Sequence, residues 1–306
     1  MKLFNYIKIK CKLILEYFLF RNLRQKTVSE LKFRQKIIKT TEYRPVFFLS
    51  TGRTGTQLFT ELLQKSKKVQ VFHSPSSLFC NAQSELIEQS KVAYESYKEF
   101  GFNDTKTNLL MSQIILSARE DLLYKTYLHN KVYIETNNRI TFLVPAIKQL
   151  FPNARFVHIY RHPGEFVRSG IRRKYYIGDD IHQLGMITPI QTDSLYNTWK
   201  DMDSIQKISW LWNETNTFID TFLNTLDDDD YIHFNFNNLT IENINRLLNF
   251  LNIDDILEND IQNAIDTPIN IQKKGFFDTY TQWDSTDKNK LKNICEAQSN
   301  NYGYIL

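Results

Sequence analysis

Apolar positions along this chain fall into short continuous runs and longer spaced stripes, and their alternation predicts an α/β fold. Residues 46–49 form an unbroken apolar run after Pro45, the pattern of a strand buried on both faces, and Leu58, Leu62 and Leu63 then recur at helical spacing. Residues 68–72 alternate as a second strand that ends at His73, Ser74 and Pro75; residues 131–135, 155–160 and 231–236 read as three more. Residues 76–130, between the second and third strands, read as a mostly helical insertion broken at Gly101 to Asp104. Helices are also predicted over 145–150, from Pro163 onward, over 193–225 with Trp199, Trp210 and Trp212, and near 241–251 and 256–265. Residues 178–189 read as loop, and the Asp227 to Asp230 run as a solvated turn. The sum is a three-layer domain, a mainly parallel sheet flanked by helices, over residues 44–306.

The first 40 residues are of a different kind. They hold 11 Lys/Arg against 2 Asp/Glu, while the remainder holds 27 against 32, so the net charge of +4 conceals a mildly acidic body. That body argues against a nucleic-acid partner. Phe4, Ile7, Cys11, Ile14, Leu15 and Phe18 fall on one helical stripe with lysines mostly off it, but the run 13–20 is too short and too charged to span a bilayer. A helix lying on an anionic membrane and a helix packed on the body both fit; residues 21–44 continue as a polar helical stretch. Cys11, Cys80 and Cys295 are few and far apart, which indicates neither a disulfide framework nor a cysteine metal site.

The candidate chemistry lies where the first strand meets its helix, at Ser50-Thr-Gly-Arg-Thr-Gly-Thr-Gln57. Gly52 and Gly55 let backbone amides approach a bound group, and the new helix offers unpaired N–H groups and the positive end of its dipole. Thr51, Thr54 and Thr56 add hydroxyls, and Arg53 a fixed cation. The turn is built for phosphate or sulfate. It is not the nucleotide-binding P-loop: the glycines are three apart, and Thr56 stands where that motif has lysine. A second arginine, Arg161, follows the fourth strand, with Ser169 eight residues on and two turns into the helix that Pro163 opens. Arg161 and Ser169 can converge on one anion.

Ser50 to Thr56 resembles the 5′-phosphosulfate loop of sulfotransferases that use 3′-phosphoadenosine 5′-phosphosulfate (PAPS), with Arg53 at that family's Lys/Arg position. Arg161 and Ser169 resemble its 3′-phosphate pair. Ile271-Gln-Lys-Lys-Gly275, followed by Trp283, is similar to the family's C-terminal Arg-Lys-Gly loop, with Lys273 in place of the arginine, so charge is kept and bidentate geometry lost. The resemblance spans roughly residues 44–304 and implies a P-loop-like fold and a transferase that moves a sulfuryl group from PAPS to an acceptor hydroxyl, without a metal. Thr51 to Gln57, Arg161, Ser169, Lys273, Lys274 and Gly275 would bind the nucleotide.

The family also supplies a His or Glu near the loop as general base. His73 and Glu135 both end strands at the edge where ligands gather in parallel α/β sheets, and a histidine's ordinary pKa of about 6.5 suits proton removal at neutral pH. His73 is the first choice and Glu135 its rival; His158 lies inside a strand, and His162 sits on the 3′-phosphate side. By analogy with the family, the acceptor is a small-molecule or glycan hydroxyl, a sugar on a glycan or glycolipid foremost. The 76–130 insertion is its expected binding region by position, and the sparse cysteines and short N-terminal apolar run point to a cytoplasmic setting. A kinase-like phosphotransferase with a divergent loop, and a non-catalytic PAPS-fold scaffold at a membrane surface, remain open alternatives.

Overall fold

The computed structural model describes residues 33–38, 40, 43–73, 86–177, 186–267 and 275–306. The basic helix expected over residues 1–20, Lys273 and Lys274 lie outside the described residues.

Five strands, β1 (Val46–Leu49), β2 (Val69–Phe72), β3 (Val132–Glu135), β4 (Arg155–Tyr160) and β5 (Tyr231–Asn235), form one parallel sheet in the order β2-β3-β1-β4-β5. Both faces are covered, which is why the strands read as near-continuous apolar runs. Successive side chains point to opposite faces. Val46, Phe48, Ile134, Val157 and Phe234 pack with α1 (Thr56–Leu63), α7 (Ile241–Phe250) and α8 (Glu258–Asp266) through Leu58, Leu62, Ile244, Leu247 and Ile261. Phe47, Leu49, Tyr133 and Phe156 face the other layer, made by α2 (Ile87–Phe100), α3 (Thr105–Leu128), α4 (Val144–Leu150), α5 (Pro163–Arg172), α6 (Ser204–Leu223) and α9 (Ser285–Asn301). The three-layer α/β class holds.

The strand order fixes where a ligand belongs. β1 runs on through α1 to β2 at one edge, whereas β4 runs on through α5 and α6 to β5 at the other. The connections diverge between β1 and β4, and a crevice at such a switch point, at the carboxyl ends of the strands, is the standing ligand site of open parallel sheets.

Three expectations are corrected. The helix expected over 193–225 starts only at Ser204, because Asp203 and Gln206 form a capping box, each side chain accepting from the other's backbone N–H at 2.9 and 3.1 Å. The acidic run is not wholly solvated: Asp230 accepts from Arg44 at 3.2 Å and Lys148 at 2.5 Å. Residues 33–37 are helical but not polar throughout, for Phe33 and Ile37 are buried and the Phe33 ring meets Tyr124 edge-on. The break between α2 and α3 is as expected: Gly101 has φ +82°, and the Asp104 carboxylate caps α3 by accepting from the Thr107 amide at 2.7 Å. Among the described residues no helix is long and apolar enough to cross a membrane.

Candidate active site

The loop leaving β1 turns through three left-handed residues, Gly52 (φ +76°), Arg53 (φ +56°) and Gly55 (φ +78°). A Cβ on Gly55 would lie 1.9 Å from the Phe236 ring, and one on Gly52 2.9 Å from the Asn138 amide, so no side chain fits at either position. Thr141 holds the start of the loop: its hydroxyl accepts from the Ser50 amide at 3.2 Å and donates to the Ser50 carbonyl at 3.1 Å. Thr51 donates to the Gly52 carbonyl and Gln57 to Glu61, whereas α1 starts at Thr56 with no side-chain cap. The first-turn amides of α1 are thereby left for a ligand.

The two anion-binding stretches meet here. Arg53 Nε donates to Ser169 Oγ at 3.3 Å, and Arg161 Nη1 donates to the Arg53 carbonyl at 2.8 Å. Trp212 fixes the backbone of Arg161 by donating from Nε1 to its carbonyl at 3.0 Å. Arg173, one turn beyond Ser169, adds a third guanidinium. Burial first and the Arg173 charge second, with a smaller push from Arg161, hold the Arg53 guanidinium below its usual range. Burial does the same to Arg161, opposed by the Glu165 carboxylate 3.4 Å from its Nη2.

The donor set around this cluster fits an anion. Arg161 Nε, Arg173 Nε and the Thr54 hydroxyl are buried and lack a hydrogen-bond partner among the described residues. Buried donors are normally satisfied, and orphans beside surplus positive charge match phosphate or sulfate oxygens. The start of the C-terminal loop packs on the end of α5: Gly275 (φ +72°) accepts from Arg172 Nε at 3.0 Å, and a Cβ there would lie 2.9 Å from the Arg172 carbonyl.

The two candidate bases differ sharply. Glu135 is fully buried and takes donors from Arg119 Nε (2.9 Å) and Nη2 (2.8 Å), the Tyr133 hydroxyl (2.7 Å) and the Asn137 amide (3.2 Å). Burial alone would lower the Arg119 guanidinium, but the carboxylate more than reverses this. His73 lies exposed at the end of β2, with Nδ1 3.0 Å from Thr136 Oγ1. Thr136 is in turn 2.6 Å from Thr60 Oγ1, which donates to the Thr56 carbonyl at 2.8 Å. His73 is thus tied to the first turn of α1. His162 serves as the cap of α5, its Nδ1 accepting from the Gly164 amide at 3.1 Å, and burial lowers its pKa. His158 is buried inside β4, as expected.

The sequence reading passed over Arg173 and Thr136 as site residues. Arg173 shares a helix face with Ser169 at i+4, and Thr136 is the first residue past β3 on the ligand edge; both signals were present.

A profile of the sulfotransferase family matches residues 45–254, and the chain belongs to that family. Among solved structures, sulfotransferase STF9 from Mycobacterium avium superposes with a TM-score of 0.54 at 13% identity, covering 94% of this chain and 82% of that one. The sulfotransferase domain of the Synechococcus PCC 7002 olefin synthase gives 0.50 at 13% identity, covering 89% and 99%. These likenesses concern the fold. No curated protein sequence matches the chain.

Proposed function

We propose that the protein transfers a sulfuryl group from PAPS to an acceptor hydroxyl. The reading is carried by the convergence of Arg53, Arg161, Ser169 and Arg173, with orphaned donors, on the uncapped start of α1. The donor supplies a sulfuryl group whose bridging S–O bond to phosphate breaks as a new S–O bond to the acceptor forms. The α1 amides and Arg53 stabilise charge growing on the departing phosphate oxygen, in the manner of an oxyanion hole. Arg161, Ser169 and Arg173, with the Lys273–Gly275 stretch, hold the 3′-phosphate, so contacts remote from the reaction fix its geometry.

His73 takes the acceptor proton. If Nδ1–H donates to Thr136, the basic lone pair is on Nε2, and the hydroxyl relay to Thr56 orients the ring relative to the loop. Glu135 does not suit the role: its oxygens are saturated by donors, and it never reaches the surface. The acceptor reading is a small-molecule or glycan hydroxyl, a sugar foremost, received beside the β2–β3 connection. The basic first 40 residues support contact with an anionic membrane from the cytoplasmic side, checked by vesicle sedimentation at low and high salt.

Calorimetry tests the donor site. Adenosine 3′,5′-bisphosphate (PAP) should bind without Mg²⁺ and more tightly than adenosine 5′-phosphate, by the worth of at least one charge-assisted bond, about 1.5–3 kcal/mol. Equal affinities for the two nucleotides, or an absolute need for Mg²⁺ with a preference for ATP, would overturn the reading.

A further inference from the structure

The middle of β4 and β5 carries a second constellation that sulfuryl transfer does not use. Parallel pairing sets His158 opposite His233, so both imidazoles leave the same face of the sheet. On α6, packed over that face, Asn216 and Asp220 are four residues apart and share a helix side. His158 Nδ1 lies 3.1 Å from His233 Nδ1 and 3.2 Å from Asp220 Oδ1, and the three ligand atoms all fall within 4.8 Å of one another.

The surroundings assign the protons. Asn216 gives its amide N–H to the Trp212 carbonyl at 2.7 Å, so its Oδ1, 3.0 Å from His158 Nε2, accepts from that nitrogen. In the neutral ring the lone pair is then on Nδ1, facing the Asp220 carboxylate. Apart from His158 Nδ1, Asp220 Oδ1 is buried without a hydrogen-bond donor among the described residues, while its partner oxygen is held by the Tyr302 hydroxyl (2.7 Å) and the Gln298 amide (2.5 Å). His158 Nδ1, His233 Nδ1 and Asp220 Oδ1 thus lie side by side, and outer hydrogen bonds fix His158 and Asp220, as they do for metal ligands.

We propose that His158, His233 and Asp220 bind a divalent transition-metal ion of the zinc type, at a site apart from the transfer centre. Two imidazoles and one carboxylate are the ligands such ions prefer over Ca²⁺ or Mg²⁺. The 3.1 and 3.2 Å separations from His158 Nδ1 lie close to the spacing of about 3.3–3.4 Å between ligands that sit about 2.0–2.1 Å from a tetrahedral Zn²⁺. The fourth position opens on a cleft of about 460 Å³ lined by Tyr160, Asn224, Gln298 and Tyr302, through which the ion or a water can enter.

The test strips the full chain with a chelator and titrates it with ZnCl2 against a colorimetric zinc indicator. Wild type should take up one equivalent at this site. His233→Gln and Asp220→Asn should each weaken it at least ~10-fold, and Tyr302→Phe, which removes only an outer hydrogen bond, by about tenfold. No uptake by wild type, or uptake equal in wild type and both ligand variants, overturns the site and leaves a histidine–histidine hydrogen bond in its place. The wild-type titration decides this even if a ligand variant fails to fold.

Discussion

The ends of two neighbouring strands treat charge in opposite ways. At the end of β3, Arg119 and Glu135 are almost wholly excluded from water, with 1% and 0% of their side chains exposed, and every Glu135 oxygen has a donor. At the end of β1, Arg53, Arg161 and Arg173 crowd together, Glu165 lies within reach of Arg161, and two of their Nε atoms have no acceptor among the described residues. A buried pair whose hydrogen bonds are complete has no capacity left for a ligand. A half-buried group of like charges is held by the fold in a state that an incoming anion would complete, and that contrast supports the second place, not the first, as the proposed site.

The contrast can be broken at either end. Arg119→Met leaves the Glu135 carboxylate buried without its cation and should cost about 3–5 kcal/mol of stability, read by urea unfolding, while the folded fraction keeps its PAP affinity. A loss of PAP binding in that fraction would place Arg119 in the site after all. His73→Ala should lower turnover by roughly 10²–10⁴-fold with PAP affinity unchanged. Should His73→Ala retain full turnover, the base lies elsewhere. Arg161→Ala should weaken PAP by about 1.5–3 kcal/mol in calorimetry and leave the unfolding midpoint near that of wild type. The smallest and most discriminating effect belongs to Arg173→Gln. Removing one of three like charges should raise stability slightly in the absence of nucleotide and lower PAP affinity, and a plain loss of stability would mean that the cluster is structural.

Much of this was legible before the structure. The five strands were readable because a parallel sheet covered on both faces forces continuous apolar runs, and the loop after β1 because Gly52 and Gly55 have no substitutes in a left-handed turn. Strand order was not readable, since β1 pairs with β3 and β4 through contacts that no local pattern encodes. The same limit hid the difference between His73 and Glu135: each ends a strand at the ligand edge, and only the approach of Arg119 from the middle of α3 separates them. The start of α6 was misplaced because Trp199 extends the apolar spacing upstream, although Asp203 and Gln206 spell a start signal.

The sheet order also separates what selection can alter. The groups assigned to the donor come from the turn after β1 and the start of α1, from the stretch between β4 and Arg173, and from the C-terminal loop, whereas the long β2–β3 connection hangs on the other side of β1 and is joined to β3 through the Arg119–Glu135 pair. Substitutions on the exposed faces of α2 and α3 can therefore accumulate without loosening the grip on the nucleotide, provided that pair and the Tyr94 and Lys98 contacts to Glu214 on α6 persist. On the proposed reading, in which the acceptor is met beside that connection, acceptor preference is free to drift while donor preference stays fixed, so close relatives of this chain are expected to share a donor well before they share an acceptor.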